Sequence, residues 1–174
     1  SLNATTKELF VTNVTADMLI KANFALDSHT VTFTSGADGS INGNSINVQV
    51  IPHGGVCNQV TAMADSNYHF TNWSGDLNAA TAVLAVTNVT TDMNITANFA
   101  IDSNTVTFIA GTNGSITGDT INIQVIPYGG NCKQVTAMAD SNHHFTNWSG
   151  DLNAATAELA VTNVTADMII TANF

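Results

Sequence analysis

"HFTNWSGDLNAATA", residues 69–82, occurs again, letter for letter, at residues 144–157. A catalytic site is rarely copied intact within one short chain, whereas a packing motif recurs in every unit of a tandem array. The surrounding residues keep the same offset. Trp73 recurs as Trp148, Cys57 as Cys132, Pro52 as Pro127, and Phe24 as Phe99 and then Phe174, each spacing being 75. Residues 25–99 and 100–174 align without a gap and differ at 17 of 75 positions. Residues 1–24, "SLNATTKELFVTNVTADMLIKANF", match the last third of a repeat, as in "DLNAATAVLAVTNVTTDMNITANF". The chain therefore divides into 1–24, the C-terminal third of a preceding repeat, then repeats 25–99 and 100–174, and reads as a window on a longer array. A cut at 1–75 and 76–150, leaving 151–174 over, fits the same periodicity.

The three copies of the last third act as a small mutation series. Positions 8, 83 and 158 are Glu, Val and Glu, while 9, 84 and 159 are all Leu and 11, 86 and 161 are all Val. Further on, 19, 94 and 169 are Leu, Asn and Ile, but 20, 95 and 170 are all Ile. Fixed and variable positions alternate with period two, as in strands with one buried and one wet face. The closing "ANF" puts Ala22 and Phe24 on the side of Ile20.

The rest of a repeat reads the same way. "TVTF" sends Val31 and Phe33 inward, and "SGADGSINGN" carries the turn residues of a hairpin. "INVQVI" is expected to bury Ile46, Val48 and Val50. "PHGG" turns, "QVTAMA" (59–64) is a strand, "DSNY" turns again, and "HFTNW" is a short strand; only "LNAATA" has room for a helical turn. About six short strands per repeat are expected, all antiparallel because the connections are short. The fold class is all-β: tandem small antiparallel sheet repeats of 75 residues. A unit of that size buries only about 60% of its chain surface, so it needs large apolar anchors. Phe33, Phe70, Trp73 and Phe99 are the candidates, with Phe108, Phe145, Trp148 and Phe174 in the second copy; each removes about 150–250 Å² from water if buried.

Composition excludes several functions. Thirteen acidic residues face 3 basic ones, a net charge of −10. Three cations cannot neutralise a run of phosphates, so neither nucleic acid nor an anionic membrane surface is an expected partner. The apolar runs are far too short to span a bilayer. Disorder does not follow from the acidity, because 44% of residues are hydrophobic. Thr and Asn together make up 47 of 174 residues, which suits strands joined by turns.

Two segments carry a family resemblance: Phe70-Thr-Asn-Trp73-Ser-Gly-Asp76 and Thr96-Ala-Asn-Phe99, repeated at 145–151 and 171–174. Together with the strand that ends before a glycine turn, they resemble the bacterial divergent InlB B-repeat domain. The resemblance covers both full repeats and the leading fragment. It implies a module strung in tandem in large secreted or surface-attached bacterial proteins, as a stalk, spacer or adhesive segment. It also implies a small β-grasp-like fold, which would add a helix and make the class α+β. Two features depart from the pattern: the lone cysteine in "IPHGGVC" and "IPYGGNC", where some members carry a pair, and the Asn-rich hairpin before it. The family supplies no catalytic residue to carry over.

Each residue type with chemical potential has a structural rival. If the repeats follow by translation, Cys57 and Cys132 stand about one 30 Å unit apart, and a disulfide needs Cα atoms within about 7 Å. An intrachain pair is not expected; a half-buried thiol and an intermolecular disulfide both stay open. His69 recurs as His144, but His53 becomes Tyr128 and Tyr68 becomes His143, so no fixed metal site at the histidines is expected. Asp65/Asn67 and Asp76/Asn78 form Asp-x-Asn pairs, matched by Asp140/Asn142 and Asp151/Asn153. Were the two pairs of a repeat to meet, their oxygens could hold Ca²⁺ weakly, at about 0.1–1 mM; otherwise they cap turns through their own backbone. No other cofactor is expected. No nucleophile, base and orienting group recur together, so no enzyme is expected.

The expected function is structural: a stalk, spacer or fibre-forming segment of a bacterial extracellular or surface protein. Its partners are the neighbouring repeats, and other copies of the chain through sheet edges or cysteines. The alternative is an adhesin or carbohydrate-binding repeat in which Trp73 and Trp148 stack on sugars.

Overall fold

The computed structural model describes residues 7–43, 47–118 and 122–174. Repeat 1 contains β1 (Ser28–Ser35), β2 (Gly39–Gly43), β3 (Val48–Pro52), β4 (Val60–Ala64), β5 (Tyr68–Gly75), β6 (Val83–Leu84) and β7 (Met93–Ile101). Repeat 2 contains β8 (Ser103–Ala110), β9 (Gly114–Gly118), β10 (Ile123–Pro127), β11 (Val135–Ala139), β12 (Asn147–Gly150), β13 (Glu158–Leu159) and β14 (Met168–Asn173). The protein is all-β in two repeats, and no helix occurs among the described residues, so the helical turn at "LNAATA" and the α+β alternative do not form.

Each repeat stacks a four-stranded sheet on a three-stranded one. The orders are β3-β1-β7-β5 and β2-β4-β6, then β10-β8-β14-β12 and β9-β11-β13. The core lies between the sheets. Alternation along β1 buries Val31 and Phe33, along β4 Val60 and Ala62, and along β7 Ile95 and Ala97. Repeat 2 buries the counterparts Val106, Phe108, Val135, Ala137, Ile170 and Ala172.

One pairing departs from the all-antiparallel expectation. β1 and β7, the first and last strands of the repeat, lie side by side and parallel, with Val31 opposite Met93 and Ser35 opposite Ala97. β8 and β14 do the same. Short connections fix only consecutive strands as antiparallel; β1 and β7 are separated by the whole repeat, which is ample chain for a parallel return.

A second departure concerns β3. Gln49 and Ile51 are buried while Val48 and Val50 point outward, the reverse of the expected facing; Ile46 lies outside the described residues. The register explains it, since Gln49 sits opposite Val31 and cross-strand partners share a face. The Gln49 carboxamide is satisfied in both directions, accepting from Asn58 N–H at 2.7 Å and donating to the Asn58 carbonyl at 3.1 Å. A strand with apolar residues on both faces gives no clear alternation, and here the buried polar residue decides its orientation. β10 repeats the arrangement with Gln124 and Ile126 buried and Ile123 and Val125 exposed.

The leading third forms no strand between Lys7 and Asp27. Phe10, Leu19 and Phe24 are all more than four-fifths exposed.

Candidate functional site

The quoted stretch builds the centre of each core. Phe70 and Trp73 both face inward although they are three residues apart, a spacing that a regular strand sends to opposite faces. A bulge between Phe70 and Asn72 resolves this, breaking the register against β7, with Thr71 Oγ1 donating to the Asn98 carbonyl at 3.0 Å. Trp73 is completely buried and meets Phe33 edge-on at 6.1 Å and Phe70 at 5.8 Å between ring centroids. Phe70 in turn meets Phe99 at 6.1 Å. The indole Nε1–H donates to the Thr81 carbonyl at 3.0 Å, so "LNAATA" serves to wrap the ring and accept its one polar group. Trp148 repeats each contact with Phe108, Phe145 and the Thr156 carbonyl, and Phe145 with Phe174. Neither tryptophan offers a face to a sugar in the folded chain.

The Asp-x-Asn pairs do not converge. Asp65 and Asn67 lie in the turn before β5, Asp76 and Asn78 after it, so the strand holds them about 25 Å apart. Their roles are local. Asn67 takes the left-handed conformation of the turn, with φ 66°, and Asp76 Oδ2 accepts from Asn94 N–H at 2.7 Å. Asn142 and Asp151 do likewise in repeat 2, with Asp151 accepting from Ile169 N–H. Among the described residues, no three His, Cys, Asp or Glu side chains form a group able to hold a metal.

The cysteines are packing residues. Cys57 is 4% and Cys132 7% exposed, each inside its repeat's core, with backbone N–H groups bonded to the Val86 and Val161 carbonyls. Burial pushes both thiols up from their ordinary pKa, because the thiolate would lose its hydration. Burial of both residues stands against an intermolecular disulfide at Cys57 or Cys132 in the folded state.

Sequence reasoning missed the junction between repeats. β7 runs through Ile101 and β8 begins at Ser103. Asp102 between them is tied three ways: its N–H donates to the Asn67 carbonyl at 2.8 Å, its carbonyl accepts from Tyr128 N–H at 2.8 Å, and its carboxylate lies 2.8 Å from His69 Nδ1. Tyr68 and His69 pair with Ile101 and Ala100, so residues of the following repeat complete the β5 ladder. The signal was present in the conserved spacing of Asp27 and Asp102, but period-two patterning does not reveal a joint.

One open crevice of about 350 Å³ is lined by Asp151, Val161, Asn163, Asp167 and Met168 among others. Both of its carboxylates already accept backbone N–H groups, Asp167 from Thr105 at 2.8 Å. It is neither apolar nor enclosed enough to grip a small molecule.

A family model described as the divergent InlB B-repeat domain matches residues 29–103 and again 104–174. No curated protein matches the chain.

Proposed function

The chain belongs to the divergent InlB B-repeat family, and from that premise we propose that it is a non-catalytic stalk or spacer of a bacterial extracellular or cell-surface protein. The carrying observation is the parallel pairing of β1 with β7. Parallel terminal strands admit the chain at one pole of a repeat and release it at the other, so successive repeats extend the molecule. An antiparallel pair would return the chain to its starting pole and fold the array back on itself. From the register, Ser28 to Ile101 spans eleven residue steps of extended strand, about 36 Å per repeat. The tie at Asp102 continues that path into the next unit without a linker.

Small-angle scattering on the intact chain tests this. An elongated particle whose two repeats are separated by about 36 Å supports the spacer reading; two repeats folded side by side would overturn it.

A second reading, lateral assembly, has its own support. β3 and β10 are sheet edges whose outer faces carry Val48, Val50, Ile123 and Val125, each between 59% and 67% exposed. No lysine guards either strand, and apolar unguarded edges invite pairing with another copy. Val50→Lys with Val125→Lys should abolish any concentration-dependent sedimentation. Unchanged association would remove the edges from consideration.

A further inference from the structure

The two repeats agree at their buried positions and differ at one pole, where repeat 1 alone carries two histidines. His29, near the start of β1, and His53, just beyond β3, follow the buried residues of their strands at two-residue steps: His29, Val31 and Phe33 on one, Gln49, Ile51 and His53 on the other. They therefore share a face, and His29 Nε2 lies 3.0 Å from His53 Nδ1 with ring centroids 5.2 Å apart. Backbone bonds hold both positions: Thr30 N–H donates to Asp92 Oδ1 at 2.8 Å, and His53 N–H donates to the Asp27 carbonyl at 2.7 Å. The same Asp92 oxygen lies 3.8 Å from His29 Nδ1, beyond hydrogen-bond distance. With Nδ1 protonated, His29 presents the Nε2 lone pair to His53.

We propose that His29 and His53 form a two-imidazole binding site for a borderline divalent metal ion, zinc above all, with Asp92 orienting His29 from behind. Two zinc–nitrogen bonds of about 2.05 Å at the tetrahedral angle place their nitrogens roughly 3.3 Å apart. The nitrogens must part by a few tenths of an ångström, and each ring must swing by about 35° so that both lone pairs meet at the ion. Water supplies the remaining positions, in keeping with the absence of a third clustered ligand among the described residues. A carboxylate that accepts the far N–H of a ligating imidazole is the usual outer partner of such a site; Asp92 Oδ1, now 3.8 Å from His29 Nδ1, must close to about 3 Å to take that role. In the metal-free pair the short hydrogen bond needs a proton on one of the facing nitrogens; with Nε2 of His29 accepting, that proton sits on His53 Nδ1. Metal binding returns this proton to solvent while His53 Nε2 takes one up, so both facing lone pairs reach the ion and net charge changes only by that of the metal.

Repeat 2 provides the control. The same frame there holds Asn104, Tyr128 and Asp167, and Asp167 accepts from Thr105 N–H as Asp92 does from Thr30. Asn104 Nδ2 is buried without a hydrogen-bond partner, so the position is not better suited to its amide than to an imidazole. Each repeat thus supplies the other's substitutions, already tolerated by the fold.

The test is a titration of the intact chain with zinc chloride, followed through the imidazole resonances of all five histidines. The first equivalent should shift His29 and His53 together, with His53 ligating through Nδ1, before His69, His143 or His144 respond. His53→Tyr and His29→Asn, the residues repeat 2 uses, should each remove that step, and Asp92→Asn should weaken it about tenfold. Asn104→His combined with Tyr128→His should create a second equivalent site. Zinc taken up first at His143 and His144, or uptake unchanged in His53→Tyr, would overturn the proposal.

Discussion

Residues 7–24 and 82–99 are near copies in two environments. In the second segment Leu84 is 7%, Val89 1% and Ile95 0% exposed; the matching Leu9, Val14 and Ile20 are 41%, 60% and 50% exposed. Phe99 packs on the core, whereas Phe24 is 94% exposed. The difference lies in what surrounds them. Residues 93–101 form a strand because β1 lies on one side and β5 on the other, supplying both hydrogen-bond ladders and the apolar wall. Residues 7–24 have no such frame among the described residues, and the same alternation leaves them irregular. Strand propensity is mostly a statement about fitting a pleated, half-buried surface. Turn geometry survives the loss: Asn13, Asn88 and Asn163 keep φ values of 56°, 54° and 54°. The turn is local, and the strand is tertiary.

The comparison can be broken from the buried side. Removing the wall should make the framed segment resemble the unframed one, and Trp73→Ala does this most severely. It should cost about 3–5 kcal/mol in urea unfolding, and Trp148→Ala a similar amount, since the two rings have the same neighbours. Ile95→Ala should cost about 2–5 kcal/mol, while Ile20→Ala should stay within about 0.5 kcal/mol. Equal losses from these two would mean that residues 7–24 pack as tightly as their copy. Gly39→Ala is subtler: a Cβ there would run into the Phe99 ring, so about 1–3 kcal/mol should be lost as the ring is forced outward. Gly114 under Phe174 should respond in the same way.

The smallest expected effect concerns the thiols. Burial raises their pKa in the folded state, so the unfolded chain ionises first as pH rises. Their contribution to stability is complete below the unfolded value, about pH 9, and is lost as pH climbs towards the higher folded values. Denaturation midpoints from pH 8 to 10 should therefore fall more steeply in the native chain than in Cys57→Ala/Cys132→Ala. Alkylation of native protein at pH 8 should be slow and should become fast in urea; rapid native labelling would contradict the buried placement.

Much of this was legible in the sequence. The exact 75-residue period marked the tandem units, and the fixed positions of three near copies picked out Leu84, Val86 and Ile95 as inward. Phe-x-x-Trp carried a clue that was not used: two core aromatics three apart in a strand require a bulge, and Thr71 provides it. The facing of β3 was not legible, because Val48, Val50 and Ile51 leave the apolar pattern ambiguous and a satisfied glutamine looks like a surface residue. The parallel neighbours β1 and β7 were hidden for a different reason. Connection lengths report on consecutive strands and say nothing about the first and the last. Nor could any one-dimensional pattern show that the Asp-x-Asn pairs sit at opposite ends of β5, or that His29 meets His53 across 24 residues.

The side-by-side parallel strands have a consequence when the array is pulled. Tension enters a repeat at the start of β1 and leaves at the end of β7, so it drags the two neighbours past each other along their length. The ladder from Val31–Met93 to Ser35–Ala97 is then loaded in shear, and its bonds must yield together rather than peel open one at a time. A chain strung this way resists stretching inside each repeat, at the seam between its first and last strands.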